Sequence, residues 1–170
     1  MLMHPLPNVG LPKVMATPLV QSPRYHGFRM PAEWDRHEAT WLAWPHEESD
    51  WPGKFEAIPW IYGEIVRHLA RVERVHLIVE DQAWEEQVRA NLALCQVNID
   101  NVRFFHAATN RSWTRDFCPM FIKSDAIDLD SAYADLGAPE PARLAVLNWH
   151  FNGWAKYDTW EKDDQLWLES

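Results

Sequence analysis

The stretch Thr109-Asn-Arg-Ser-Trp-Thr-Arg-Asp-Phe-Cys-Pro119 gathers groups able to hold a planar cation. Trp113 offers a π-face on which a guanidinium can stack. Asp116 offers a carboxylate that matches the N–H fork of such a group. A structural reading competes, in which Arg115 and Asp116 form a turn beside a packed Trp113. A second polar and aromatic cluster, Asn148-Trp-His-Phe-Asn-Gly-Trp-Ala-Lys-Tyr157, reads equally as a strand end followed by a turn at Asn152-Gly153. Within it His150 reads as a turn or packing residue, with lining a site the alternative, while Lys156 and Tyr157 anchor the turn after Trp154. The remaining reactive side chains carry less. Cys95 falls on an apolar stripe and reads as a buried, inert thiol. Cys118 adjoins the first cluster and reads as structural. The eight histidines make no metal-binding spacing, and His37, His46 and His106 read as turn or packing residues. Neither a Gly-rich phosphate loop nor a nucleophile elbow is present.

These clusters must be held by elements, and the apolar spacing predicts which. Glu38–Trp44, stopped by Pro45, reads as a strand. His46–Gly53 is a polar loop. Phe55, Ile58, Tyr62, Ile65, Leu69 and Val72 recur at three- and four-residue spacing, which predicts a helix with that apolar face. Pro59 falls in its first turn, where a missing N–H costs little. Val75–Val79 reads as a strand. Asp81 is an N-cap for a second helix with Trp84, Val88, Leu92 and Cys95 inward. Val102–Phe105, Pro119–Lys123 and Leu144–Trp149 read as strands, 124–141 as an exposed loop, and Asp158–Leu168 as a short helix. Strand and helix alternate, so the class is α/β and the first cluster lies on a strand-end loop.

Composition sets the outer bounds. A chain of 170 residues, 47% hydrophobic and 24% charged, matches a globular domain or a piece of a larger one. No apolar run approaches the roughly 18 residues of a membrane span. Lys plus Arg is 16 and Asp plus Glu is 25, for a net charge of −9. Nucleic-acid affinity is mostly phosphate neutralisation, so this balance argues against such a partner. Two cysteines make no disulfide framework, and a reducing, cytoplasmic compartment is the simplest reading. Residues 1–27 carry five prolines and no secretory pattern, and read as a flexible leader. Eleven tryptophans are far above ordinary usage. They suit packing, or platforms for sugars and cations.

Three motifs in order carry a resemblance. Met30-Pro-Ala-Glu-Trp-Asp-Arg-His-Glu-Ala-Thr-Trp-Leu-Ala-Trp-Pro45 resembles the N-terminal signature of the agmatine deiminase family, which includes the Porphyromonas-type peptidylarginine deiminases. Trp113-Thr-Arg-Asp116, with Pro119 beyond, is similar to its Trp-x-Arg-Asp-x-Gly-Pro motif. Trp149–Tyr157 is similar to its Trp-x-Phe-Asn-x-Trp-Gly-x-Lys-Tyr segment. The resemblance covers about residues 28–168. It departs at Arg111, where many members have Asp, at Cys118, where the motif has Gly, and at Ala155, where Gly is usual.

The resemblance implies a pentein β/α-propeller, of which this chain would supply about two of five blades, with residues 28–170 an N-terminal part truncated at the C-terminus. It implies hydrolysis of a guanidinium to a ureido group through a cysteine thioether, with no cofactor and no metal. It assigns Asp116 to the substrate guanidinium, Trp113 to the wall beside it, and Arg115 to a structural or electrostatic role. The nucleophilic cysteine and acid/base histidine would lie beyond Ser170. A small cationic guanidino substrate is expected, agmatine first and peptidylarginine second, with no nucleic acid and no membrane; a homo-oligomer is compatible. A non-catalytic guanidinium- or carbohydrate-binding remnant is the rival of another class. Arg111 is expected either to oppose agmatine's ammonium, to pair with Asp116, to meet a substrate carboxylate, or to point away or be neutralised by a neighbouring acid.

Overall fold

A computed structural model describes residues 22–124 and 144–167. In chain order its strands are β1 (Phe28–Arg29), β2 (Ala39–Ala43), β3 (Arg74–Val79), β4 (Val102–His106), β5 (Met120–Ser124) and β6 (Leu144–Leu147). Its helices are α1 (Ile58–Leu69), α2 (Gln82–Leu94), the one-turn α3 (Thr114–Phe117) and α4 (Glu161–Gln165). Residues 1–21 of the expected leader and most of the expected 124–141 loop lie outside the described residues. Pro23–His26 form a 3-10 turn.

The chain divides into two compact units. The larger takes in 37–118 and the described residues from His150 onward. Its sheet has the order β2-β3-β4, all parallel, with Ala39 opposite Arg74 and Val75 opposite Val102. Parallel neighbours need a crossover, and α1 and α2 supply the two. Alternation along β3 divides its side chains. Val75, Leu77 and Val79 face Val66, Ala70, Val88 and Leu92 of the helix layer. Ile78 faces a second layer with Ala43, Phe117, Phe151, Leu166 and Trp167. A strand buried on both faces is apolar throughout, which is why β3 shows no clean alternation in sequence.

Both helices start as their sequence dictates. Pro59 sits in the first turn of α1. The Asp81 carboxylate accepts the Trp84 N–H at 2.9 Å, capping α2. The α2 stripe is as expected, with Val88, Leu92 and Cys95 buried. The α1 stripe is corrected. Ile65 is 40% exposed and Val72, past the helix end, is 84% exposed, while Gly63, Val66 and Ala70 turn inward. Three-then-four spacing drifts around a 3.6-residue helix, and a small residue such as Gly63 leaves no hydrophobic signal.

The smaller unit holds the antiparallel sheet β1-β5-β6. Phe28 lies opposite Ser124, and Met120 opposite Leu147. Ile122 is its buried strand residue. Lys123 Nζ reaches the Asp35 carboxylate at 3.1 Å, closing the turn after β1.

Candidate functional site

The strands β2, β3 and β4 end at one edge of the larger unit's sheet, and the loop after β4 carries Thr109–Trp113 and leads into α3 with Asp116. Loops at the carboxyl ends of parallel strands are where open α/β sheets bind ligands. Ala107 N–H donates to Val79 O at 2.9 Å, so the ladder runs right up to the loop.

The loop is pinned from both sides. His46 has one ring nitrogen 3.1 Å from Trp44 O and the other 3.0 Å from Thr109 O, bridging the end of β2 to the loop. From α4, Asp163 Oδ1 accepts the backbone N–H of Asn110 at 2.6 Å and of Arg111 at 3.3 Å. Asn110 Oδ1 returns the contact, accepting the Lys162 N–H at 2.8 Å. Asp163 is fully buried. Burial pushes its pKa up to about 6, against the pull of the two N–H groups. Its neighbour Asp164 accepts the Phe151 N–H at 2.7 Å, and His150 stands exposed beside it.

Arg111 points inward, which corrects two expectations. It does not pair with Asp116, and it is not a free charge facing a substrate. Its Nη1 donates to Asp50 Oδ1 at 2.6 Å and to Ser49 Oγ at 3.1 Å, and its Nη2 to Thr159 Oγ1 at 3.3 Å. The pair is deeply buried, 7% and 4% exposed at the side chains. Burial holds the Asp50 carboxyl above its ordinary value despite the arginine. The Arg111 guanidinium also lies over Trp113 at 5.3 Å and Tyr157 at 5.1 Å. A planar cation does rest on Trp113, therefore, and it is the chain's own.

Trp113 is half-buried, 4.9 Å from the Tyr157 ring and 5.3 Å from that of Trp154. Tyr157 thus anchors the turn as expected, with Lys156 Nζ over its ring at 5.2 Å. One turn on, Asp116 and Arg115 are exposed on α3. Packing nearby raises the Asp116 pKa, and the charge of Arg115 opposes the rise. Neither thiol is activated. Burial pushes Cys118 up to about 12 and also raises Cys95. A pocket lined by Trp44, His46, Ile78, Glu80, Trp84 and Thr109 has room for about one water, and neither Trp113 nor Asp116 lines it. Among the described residues no cluster of His, Cys, Asp and Glu has metal-binding geometry.

The sequence therefore places Trp113, Arg115 and Asp116 on one short segment, and the fold keeps Trp113 and Asp116 within a single turn of chain. It does not reveal Asp50, His46 or Asp163 as partners of that segment. The only sequence signal for Asp163 is its place in a short helical run of acidic residues, which ordinarily reads as a solvated face.

The profile of the Porphyromonas-type peptidyl-arginine deiminase family matches residues 29–168. An agmatine deiminase of Pseudomonas aeruginosa is 27% identical over 150 residues, covering 85% of this chain and 35% of its own. An agmatine deiminase of Medicago truncatula is 29% identical over 137 residues, covering 80% and 33%. A solved structure of C. jejuni agmatine deiminase with substrate bound superposes with a TM-score of 0.62 at 28% identity, over 84% of this chain and 35% of that one. The chain spans about a third of the length of the curated relatives it matches.

Proposed function

The chain belongs to the Porphyromonas-type peptidyl-arginine deiminase family, and from that membership we propose that it forms part of a hydrolase that deiminates agmatine to N-carbamoylputrescine and ammonia. The observation that carries this reading is the match over 29–168, with Trp113 at the end of the loop after a parallel strand and Asp116 on the helical turn that follows it. In this reading Asp116 accepts two N–H bonds from the substrate guanidinium. Trp113 walls one side of the group. Arg115 tunes the charge of the carboxylate beside it.

Fixing the guanidinium leaves its central carbon open to a thiolate. The C–S bond forms and a C–N bond breaks, releasing ammonia. Water then adds to the same carbon, the C–S bond breaks, and the thiolate returns. The thiolate and the proton-carrying histidine come, on the family pattern, from outside residues 1–170. The character of the two thiols supports this, since a cysteine with a pKa of about 12 holds almost no thiolate at neutral pH. Residues 28–170 would then form about two blades of a five-bladed propeller, in a cytoplasmic enzyme acting on a small guanidino cation, for which a homo-oligomer is compatible. The pairing of Arg111 with Asp50 favours agmatine over an acidic arginine substrate, because that arginine offers no free positive charge.

The test is to read the coding sequence past Ser170 and assay the product it specifies with agmatine. Release of ammonia and a ureido product is expected from the longer chain, and none from residues 1–170 alone. Turnover by the 170-residue chain that Cys118→Ser abolishes would overturn the placing of the nucleophile. A longer chain that binds agmatine without releasing ammonia would instead establish the non-catalytic guanidinium binder.

A further inference from the structure

We propose that Arg111 is a positioning residue, its guanidinium filling a socket built for a planar forked cation and thereby orienting Trp113 toward the place of the substrate. The functional half of this rests on the reading of Trp113 and Asp116 given above; the socket itself does not. Its walls are Ser49, Asp50, Trp113, Tyr157 and Thr159. The acceptors sit at the end of the side chain: Asp50 Oδ1 at 2.6 Å and Ser49 Oγ at 3.1 Å from one terminal nitrogen, Thr159 Oγ1 at 3.3 Å from the other. The two rings lie 5.3 and 5.1 Å from the central carbon and meet at 69°. A carboxylate, two hydroxyls and two aromatic faces around one flat ion form a receptor for guanidinium. An ammonium, a point charge with no plane, cannot engage the rings and both ends together.

The socket joins three separate segments. Asp50 and Ser49 come from the loop after β2, Tyr157 and Thr159 from the segment before α4, and Trp113 from the loop after β4. Arg111 is the group all of them share. Remove its head and the Trp113 ring loses the cation against it, while Asp50 is left buried with two unpaired oxygens; one of them, Oδ2, already lacks a partner. Trp113 keeps the Tyr157 and Trp154 rings and its packing on the Phe117 and Phe151 layer, but loses the charged group that sets its plane.

The experiment removes the side chain and returns its head as a free ion. Arg111→Ala in the 170-residue chain is titrated with methylguanidinium and, separately, methylammonium at millimolar concentration, far below the molar range in which guanidinium denatures. Thermal midpoint and near-ultraviolet dichroism are read. Methylguanidinium is expected to raise the midpoint and restore the aromatic dichroism of the variant, methylammonium to do neither, and the unsubstituted chain to respond to neither. In an Arg111→Ala, Trp113→Phe background the midpoint should still rise but the dichroism should not return, which separates orientation of Trp113 from mere filling of space. Equal responses to the two ions, or equal responses in variant and unsubstituted chain, overturn the proposal. Should Arg111→Ala not fold, the Arg111 Nη protons of the unsubstituted chain decide. The socket requires ring-shifted, slowly exchanging resonances, and solvent-averaged ones overturn it. No turnover is measured, so neither outcome depends on deimination.

Discussion

Asp116 stands on a single helical turn with solvent at its side, yet the protein around it lifts its pKa above the ordinary aspartate value. A guanidinium grip needs the ionised form. Agmatine binding by the active chain should therefore weaken as pH falls, and should begin to do so at a higher pH than a free aspartate would allow; a binding titration against pH checks it. Asp116→Asn keeps the shape but swaps one acceptor for a donor. An ion-paired hydrogen bond is worth roughly 1.5–3 kcal/mol and mispositioning adds to that. A loss of at least about a hundredfold in kcat/KM is expected, with an unchanged fold by circular dichroism. Arg111→Asp has a different expectation once its partner is known. It sets a second acid against buried Asp50 and costs on the order of 3–5 kcal/mol in urea denaturation, with no gain for agmatine. Asp116 and Trp113 stand out in the sequence as candidates because a carboxylate and an aromatic face carry their chemistry in their own types. The place of Arg111 is not, because its partner is 61 positions away and acid–base pairing leaves no mark in local spacing.

Helices and strands are legible wherever a period or a cap specifies them. Asp81 and Pro59 mark helix starts, and β3 declares itself by composition. What escapes is the contact between α1 and α2, made through the smallest residue. A Cβ on Gly63 would overlap Cys95 Sγ and crowd Asn91 Oδ1. Gly63→Ala should destabilise the chain by about 1–3 kcal/mol despite alanine's better helix propensity. Cys95→Ala should recover most of that loss, and denaturant midpoints of the two single variants and the double variant measure it. The turn 153–155 carries the opposite kind of strain. Gly153, Trp154 and Ala155 all have φ between 55° and 58°, a region costly for any residue with a Cβ. The family's usual glycine at position 155 has a physical reason here, and Ala155→Gly should stabilise by about 0.5–1 kcal/mol in thermal unfolding.

At the scale of the whole chain, Asp163 ties stability to pH. Its folded pKa of about 6 lies above the ordinary 3.8. The folded form therefore binds the extra proton between those values. Stability from this group is greatest below about pH 4 and falls as pH rises toward 6, by on the order of 3 kcal/mol. Asp35, Glu47, Glu64 and Glu161 have lowered values and push the other way. The difference between the original chain and Asp163→Asn isolates the one group, because the other carboxylates are common to both. Measured by urea denaturation, the original chain should lose stability relative to the variant between about pH 4 and 6, and a constant difference across that range would refute the assignment. The α/β alternation is readable over the larger unit because each crossover brings its own helix. The antiparallel β1-β5-β6 sheet is not, since strands so far apart in sequence announce no pairing.

The clamp from Asp163 to the Asn110 N–H spans 53 positions. At a synthesis rate of about 5–20 residues per second, the ribosome needs roughly 3–10 s after adding Asn110 to add its anchor. Strands β2 to β4 and both long helices are made before then. For those seconds the nascent sheet shows Trp41, Ile78 and Phe105 without the Phe151, Leu166 and Trp167 that later cover that layer. The stretch from Phe151 to Trp167 therefore both seals an apolar face that a chaperone would recognise and locks the loop that follows β4.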